Sequence, residues 1–110
     1  MEIKSLDEPK AVTVSVSGNL DATTAPEFEK VLVEQIERYA KPLVVNLEGV
    51  EYISSAGLRA ILSVGKRMKS IEKRILLSGL RGAVKKVFEI SGFYSIFEIC
   101  ETKGAALEQI

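Results

Sequence analysis

The clearest two-residue period in the chain is Ala11-Val12-Thr13-Val14-Ser15-Val16-Ser17-Gly18, with Val12, Val14 and Val16 on one side. Such alternation predicts a half-buried strand. Residues Glu2 to Ser5 read as its partner, with a turn at Asp7-Glu8-Pro9 between the two. Leu43-Val44-Val45-Asn46-Leu47 is apolar almost throughout, the pattern of a central strand covered on both faces, and a turn is expected after it at Glu48-Gly49. Arg74–Gly79 predicts a third strong strand and Phe97–Cys100 a short last one. Helical spacing fills the gaps. Phe28, Val31, Leu32, Ile36 and Tyr39 form one stripe. Thr24 is expected as its N-cap, with Pro26 in the first turn and Glu27 at capping-box distance, and the helix stops before Pro42. Leu58, Ile61, Leu62 and Met68 place a second helix from about Ala56 to Ile71. A third opens at Gly82, carries Val84, Val87 and Phe88, and ends near Gly92; Gly104–Ile110 is a weak terminal helix.

From residue 43 onward strand and helix alternate, which implies right-handed crossovers and a parallel core. The expected fold is α/β: one domain over residues 1–110, with a mixed sheet of four to five strands packed with four helices. This order has a functional consequence. The segments 19–24 and 52–56 each lead from a strand into a helix. If the two strands run in the same sense, both segments lie at the edge formed by the carboxyl ends of the strands, where open α/β sheets bind ligands. Asp21 and Ser55 are then neighbours. Taken alone, Asp21 is a turn or cap residue.

The segment Glu51-Tyr52-Ile53-Ser54-Ser55-Ala56-Gly57-Leu58 places two hydroxyls at the start of the second helix. Unpaired backbone N–H groups and the positive end of the helix dipole meet there. A phosphate on Ser55 would be well received and would change the local surface greatly, which makes Ser55 a candidate switch. The plainer reading, that Ser54 or Ser55 merely caps the helix, is favoured on position alone.

Composition narrows the chemistry. With 46% hydrophobic and 27% charged residues the chain has the make-up of an ordinary globular protein. It contains no histidine, so neither a Ser-His-Asp nor a Cys-His arrangement can be built, nor a histidine-ligated zinc site. No phosphate loop or Gly-x-Gly-x-x-Gly is present, and the carboxylates show no metal-loop spacing. A non-enzymatic protein without cofactor or metal is expected. The single cysteine, Cys100, reads as a packed small side chain. No apolar run reaches the roughly 20 residues a bilayer requires, and Met1-Glu2-Ile3-Lys4 lacks a signal-peptide profile, so a cytoplasmic protein is expected.

Net charge is zero but unevenly spread. Residues 59–86 hold nine basic side chains against Glu72 alone, whereas the first 58 residues hold five basic and ten acidic ones. Such polarity can steer a charged partner. Three tyrosines, no tryptophan and no RNA-binding signature argue against nucleic acid. Neither nucleic acid nor membrane is expected as a partner, and with no exposed apolar stripe demanding a dimer the chain is expected to be a monomer.

Tyr52-Ile53-Ser54-Ser55-Ala56-Gly57-Leu58, preceded by Val44-Val45-Asn46-Leu47, resembles the signature of bacterial anti-sigma factor antagonists, the small stand-alone STAS-domain proteins of partner-switching systems. The resemblance extends to Gly18-Asn19-Leu20-Asp21-Ala22-Thr23-Thr24-Ala25 and to Val84–Gly92, in the family's order. It implies a protein that binds an anti-sigma factor which is also a serine kinase, and so releases a sigma factor. The kinase phosphorylates one serine of the antagonist, which then dissociates, and a PP2C-type phosphatase resets it. That serine lies two positions before the glycine, which maps it to Ser55 with Gly57 as the glycine. The expected partner-binding residues are Asp21, Thr23, Ser54, Ser55, Ala56, Gly57 and Arg59; Arg59 is read, with Lys66 and Arg67, from the basic face of the second helix, where a solvated surface is the plainer account. Two positions depart from the family pattern. The acidic residue common before the phosphoserine is Ser54 here, which leaves Ser54 as the alternative phosphosite, and the frequent Ser or Thr after it is Ala56. Two other readings stand beside this one: a STAS-type module serving a transport or stress-signalling complex, and a small-nucleotide-binding domain using the Asp21–Ser55 edge.

Overall fold

The valine alternation becomes the second strand of a hairpin. In the computed structural model, which describes residues Met1–Ile110, β1 (Glu2–Asp7) pairs antiparallel with β2 (Val12–Leu20). β3 (Leu43–Ile53), β4 (Ile75–Ser78) and β5 (Glu98–Cys100) follow in parallel, giving a mixed five-stranded sheet in the order β1-β2-β3-β4-β5. Four helices complete the fold: α1 (Ala25–Tyr39), α2 (Ser55–Ser70), α3 (Gly82–Ile90) and α4 (Lys103–Glu108), with a 3-10 turn at Phe93–Ser95.

The period-two pattern sorts the sheet into two unequal faces. Val12, Val14, Val16, Leu43, Val45, Leu47 and Leu77 face the main core, where they meet Phe28, Leu32 and Ile36 of α1, Ile61, Val64 and Met68 of α2, and Val84 and Phe88 of α3. The other face carries only a small cluster, Ala11, Val44 and Leu76 beneath Ala106 of α4, with half-buried Cys100 packed against it. Both neighbours of Val44 in the chain point to the main core while Val44 points to α4, which is why this strand reads as a continuous apolar run. Where α4 does not reach, the face is polar, with Ser15, Ser17, Asn46 and Glu48 beside the β1–β2 hairpin.

Several element ends lie a residue or two from the sequence reading, β1 running on to Asp7 and α2 starting at Ser55, and two larger differences matter for the site. Glu48-Gly49 is not a turn: β3 continues to Ile53. The pairing slips instead, Ser15 facing Asn46 but Ser17 facing Gly49, so β3 holds an extra residue there, and a second slip separates Gly18 from Asn19. A Cβ at Gly49 would stand 2.6 Å from that of Ser17, so the strands come this close only over bare backbone. Asn19 and Leu20, expected in a loop, likewise belong to β2 and face Tyr52 and Ile53. The polar letters that looked like loop are strand residues exposed by the slipped register.

Candidate functional site at the carboxyl edge of strands 2 and 3

β2 and β3 run parallel, so the α1 and α2 starts emerge at one edge. The main-chain N–H of Ser54 donates to the Leu20 carbonyl at 3.0 Å and ties the two strand ends together. Ala22, Ala25 and Pro26 from the first segment and Ala56 from the second line one shallow depression. The two segments are therefore neighbours, as the topology required.

The start of α1 is organised by Asp21. Its Oδ1 accepts from the Thr23 hydroxyl at 2.7 Å, the Thr23 N–H at 2.9 Å and the Thr24 N–H at 3.3 Å. Its carbonyl accepts from the N–H of Ala25 at 2.8 Å. Donors converging on an ionised carboxylate favour the charged form. The Thr23 hydroxyl, then the Thr23 and Thr24 amides, hold Asp21 below the ordinary carboxylate range. The capping box expected from Thr24 is not formed. Thr24 occupies the N-cap position, but its Oγ1 accepts from the Asp21 N–H at 2.9 Å and donates to the Asn19 carbonyl at 2.8 Å, so its lone pairs face backward along the chain.

The start of α2 is sparser. Ser54 is the N-cap, with φ −99° and ψ 174°, and its Oγ accepts from the Gly57 N–H at 3.4 Å. Ser55 is the first helical residue, exposed, and its hydroxyl makes no hydrogen bond within the chain. The capping role that position alone left open between the two serines thus belongs to Ser54. Ala56 is half-buried and Gly57 buried. A Cβ at Gly57 would lie 2.5 Å from the Leu20 carbonyl oxygen and 2.8 Å from Ile53 Cγ1, so only glycine lets α2 sit down on the ends of β2 and β3. Arg59 is exposed, four residues after Ser55 and hence on the same side of the helix. Thr23 is exposed but has its hydroxyl committed to Asp21.

One residue at this edge escaped the sequence reading. Tyr52, 55% exposed at the end of β3, faces Asn19 of β2 and stands beside the serines. An exposed aromatic ring next to a polar pair is a recognition feature. Its exposure could not be read from alternation, because the slips of register break the period just before it.

The edge thus carries a hydroxyl without a partner on one helix start, a second helix start beside it and an exposed aromatic ring. The chain belongs to the STAS domain family, whose sequence model matches residues 2–106. It is 36% identical over 91 residues to BtrV of Bordetella bronchiseptica, a candidate anti-sigma factor antagonist, covering 83% of this chain and 78% of that one. It is 30% identical over 101 residues to an anti-sigma-B factor antagonist of Staphylococcus aureus, covering 92% and 94%. Among solved structures, an anti-sigma factor antagonist from Mycobacterium paratuberculosis superposes with a TM-score of 0.90 at 23% identity, over 99% of this chain and 92% of that one. The Bacillus cell fate determinant SpoIIAA in its phosphorylated form superposes with a TM-score of 0.74 at 18% identity, over 98% of each chain. The two structures speak to the fold, which is the STAS fold expected from the sequence. No helix is long and apolar enough to cross a membrane.

Proposed function

We propose that this protein is an anti-sigma factor antagonist, a non-enzymatic regulator that binds an anti-sigma factor with serine-kinase activity and is switched off by phosphorylation of Ser55. The reading is supported by the names of its relatives, and one observation carries the choice of residue. Of the two adjacent serines, Ser54 has its oxygen committed to the Gly57 N–H, whereas Ser55 offers an exposed and unbonded hydroxyl. A kinase needs a hydroxyl it can reach, and Ser55 provides it without unwinding the helix.

The mechanism follows from charge and space. In the unmodified state the edge presents the hydroxyl of Ser55 next to Ala56, which lines the shallow depression with Ala22, Ala25 and Pro26, and the charges of Glu29 and Lys30 in that lining offset one another. Phosphate adds −1.5 to −2 charges at about neutral pH. The N-terminal amides of α2 accommodate that anion where it stands, so the backbone need not move. Bulk and repulsion at the interface are enough: coupling of about 1–3 kcal/mol changes affinity roughly 5- to 150-fold. A PP2C-type phosphatase would restore the unmodified form.

Phosphosite mapping by mass spectrometry after incubation with ATP and an anti-sigma factor kinase tests this reading, with Ser55→Ala in parallel. One phosphate on Ser55, absent from the variant, is the expected result. A phosphate on Ser54 would move the switch by one residue. Neither phosphate nor binding would point to a STAS module with another client.

A further inference from the structure

At the far end of α2 lies a groove of about 630 Å³, between the last turns of that helix and the segment joining the 3-10 turn to β5. Leu62, Ile75, Ile96 and Phe97 make its apolar floor. The floor owes its shape to Gly65, where a Cβ would stand 2.7 Å from the Phe97 ring. Ile96 is 61% exposed, a large apolar surface left in water. Lys66, Lys69 and Lys73 stand around this floor, and no acid of the chain pairs with any of them. Of the two carboxylates present, Glu98 is gripped by Arg74 through bonds of 2.6 and 3.1 Å, and that grip holds its pKa low. Glu72 alone is left to face three ammonium groups. An apolar floor with a rim of net positive charge is the complement of an acidic amphipathic helix.

We propose that this groove is a second docking surface, which takes an acidic amphipathic helix of a partner protein, its apolar side chains on the floor and its carboxylates between the lysines. The inference does not depend on the proposed switch. Lys66 lies eleven residues beyond Ser55 on one helix, which at the α-helical rise is about 16 Å. That is twice the screening length of about 8 Å at physiological salt, so a phosphate on Ser55 leaves the groove largely unaffected. A nucleic-acid strand fits the floor less well, since its one aromatic ring, Phe97, is buried and offers no face for a base to stack on.

The test is a titration of the isotope-labelled full chain, followed by its amide resonances, with a designed peptide of roughly 15 residues carrying leucine at helical spacing and glutamate elsewhere. Shifts are expected over residues 62–73 and 96–98. Because Lys66, Lys69 and Ile96 are exposed, their variants retain the fold. Combined Lys66→Glu and Lys69→Glu should weaken binding by about tenfold or more, and Ile96→Ser by about fivefold. Ser55→Glu should change it by less than about twofold. Equal binding of a lysine-for-glutamate version of the peptide would overturn the proposal, and so would no shifts in the groove. Loss of binding in Ser55→Glu would place the peptide at the other edge and overturn it too. Groove shifts on diluting the free protein would assign the surface to a second copy, and groove binding of a single-stranded oligonucleotide in place of the peptide would assign it to nucleic acid.

Discussion

Two helix starts share one edge of the sheet, and they are built in opposite ways. The start of α1 is saturated: Asp21 draws in the Thr23 hydroxyl and the amides of Thr23 and Thr24, while the Thr24 hydroxyl bridges Asp21 and Asn19. The start of α2 has a single long side-chain cap from Ser54, and its first residue keeps a free hydroxyl. Where every polar group is engaged, a modification would have to break bonds, which is costly. Where a hydroxyl is free, modification costs no existing contact. The first start has its polar groups fixed, and the second leaves one free, which is the contrast the proposed switch at Ser55 rests on.

The largest effect should come from joining the two starts wrongly. Gly57→Ala pushes a methyl against the Leu20 carbonyl oxygen and the Ile53 side chain, and the nearer atom is backbone that cannot turn aside. A loss of about 3 kcal/mol in denaturant unfolding is expected, with weakening of the Ser54–Leu20 bond. A neutral outcome would mean that α2 can slide, and the rigid seating of Ser55 would have to be abandoned.

Next comes the scaffold itself. Asp21→Asn keeps the shape of the side chain but removes the charge its donors favour, so its melting temperature should fall below that of wild type at neutral pH. The sign of the pH dependence follows from the depressed folded-state pKa. The stabilisation is fully present above the unfolded carboxylate value of about 3.9 and fades as pH falls through the lower folded value. Thermal melts of both proteins from neutral pH down should therefore converge only in acid. The difference between the two curves isolates Asp21 from Glu98, whose pKa Arg74 also lowers. Parallel curves at all pH values would leave the Asp21 network without an electrostatic role.

Much of this contrast was legible in the chain, and the reasons for what was not are local. The alternation of Val12, Val14 and Val16 and the apolar run at Leu43–Leu47 located β2 and β3, and the alternation of strand and helix made a parallel core the expectation; the shared edge followed only on the condition that the two strands run in one sense, which their pairing meets. The helical spacing of Leu58, Ile61, Leu62 and Met68, with two serines just before it, pointed to a helix start near Ser55. What stayed hidden depended on bonds that the residue types leave open. Thr24 has the identity of a cap, yet the Asp21 amide and the Asn19 carbonyl compete for its hydroxyl and win. Ser54 and Ser55 are equivalent as letters, and only the extended backbone of Ser54 decides which oxygen reaches Gly57. Glu48-Gly49 has turn chemistry, but pairing with Ser17 of β2 outweighs it and carries the strand on to Ile53.

A smaller effect tests the single cap. Ser54→Ala removes an acceptor 3.4 Å from its donor, at the weak end of hydrogen bonding, and should cost about 0.5–1 kcal/mol. Kinase labelling of Ser55 should persist in this variant. Loss of labelling with the fold intact would show that Ser54 is the modified residue or that its cap is needed to present the target.

The smallest change in stability should accompany the largest change in regulation. Ser55→Ala deletes an exposed hydroxyl without a partner, so its unfolding free energy should match wild type within about 0.5 kcal/mol. Alanine is also a good first-turn residue, so the helix itself loses nothing. Phosphate incorporation should nevertheless disappear, and binding to the anti-sigma factor should become insensitive to ATP. Ser54→Ala behaves in the reverse manner, with a measurable loss of stability and a switch that still works. The pair of variants separates the cap from the switch on two independent readouts. If Ser55→Ala destabilised the protein as much as Ser54→Ala does, the hydroxyl would have a partner in solution. The division between a saturated helix start and an open one would then fail where it matters most.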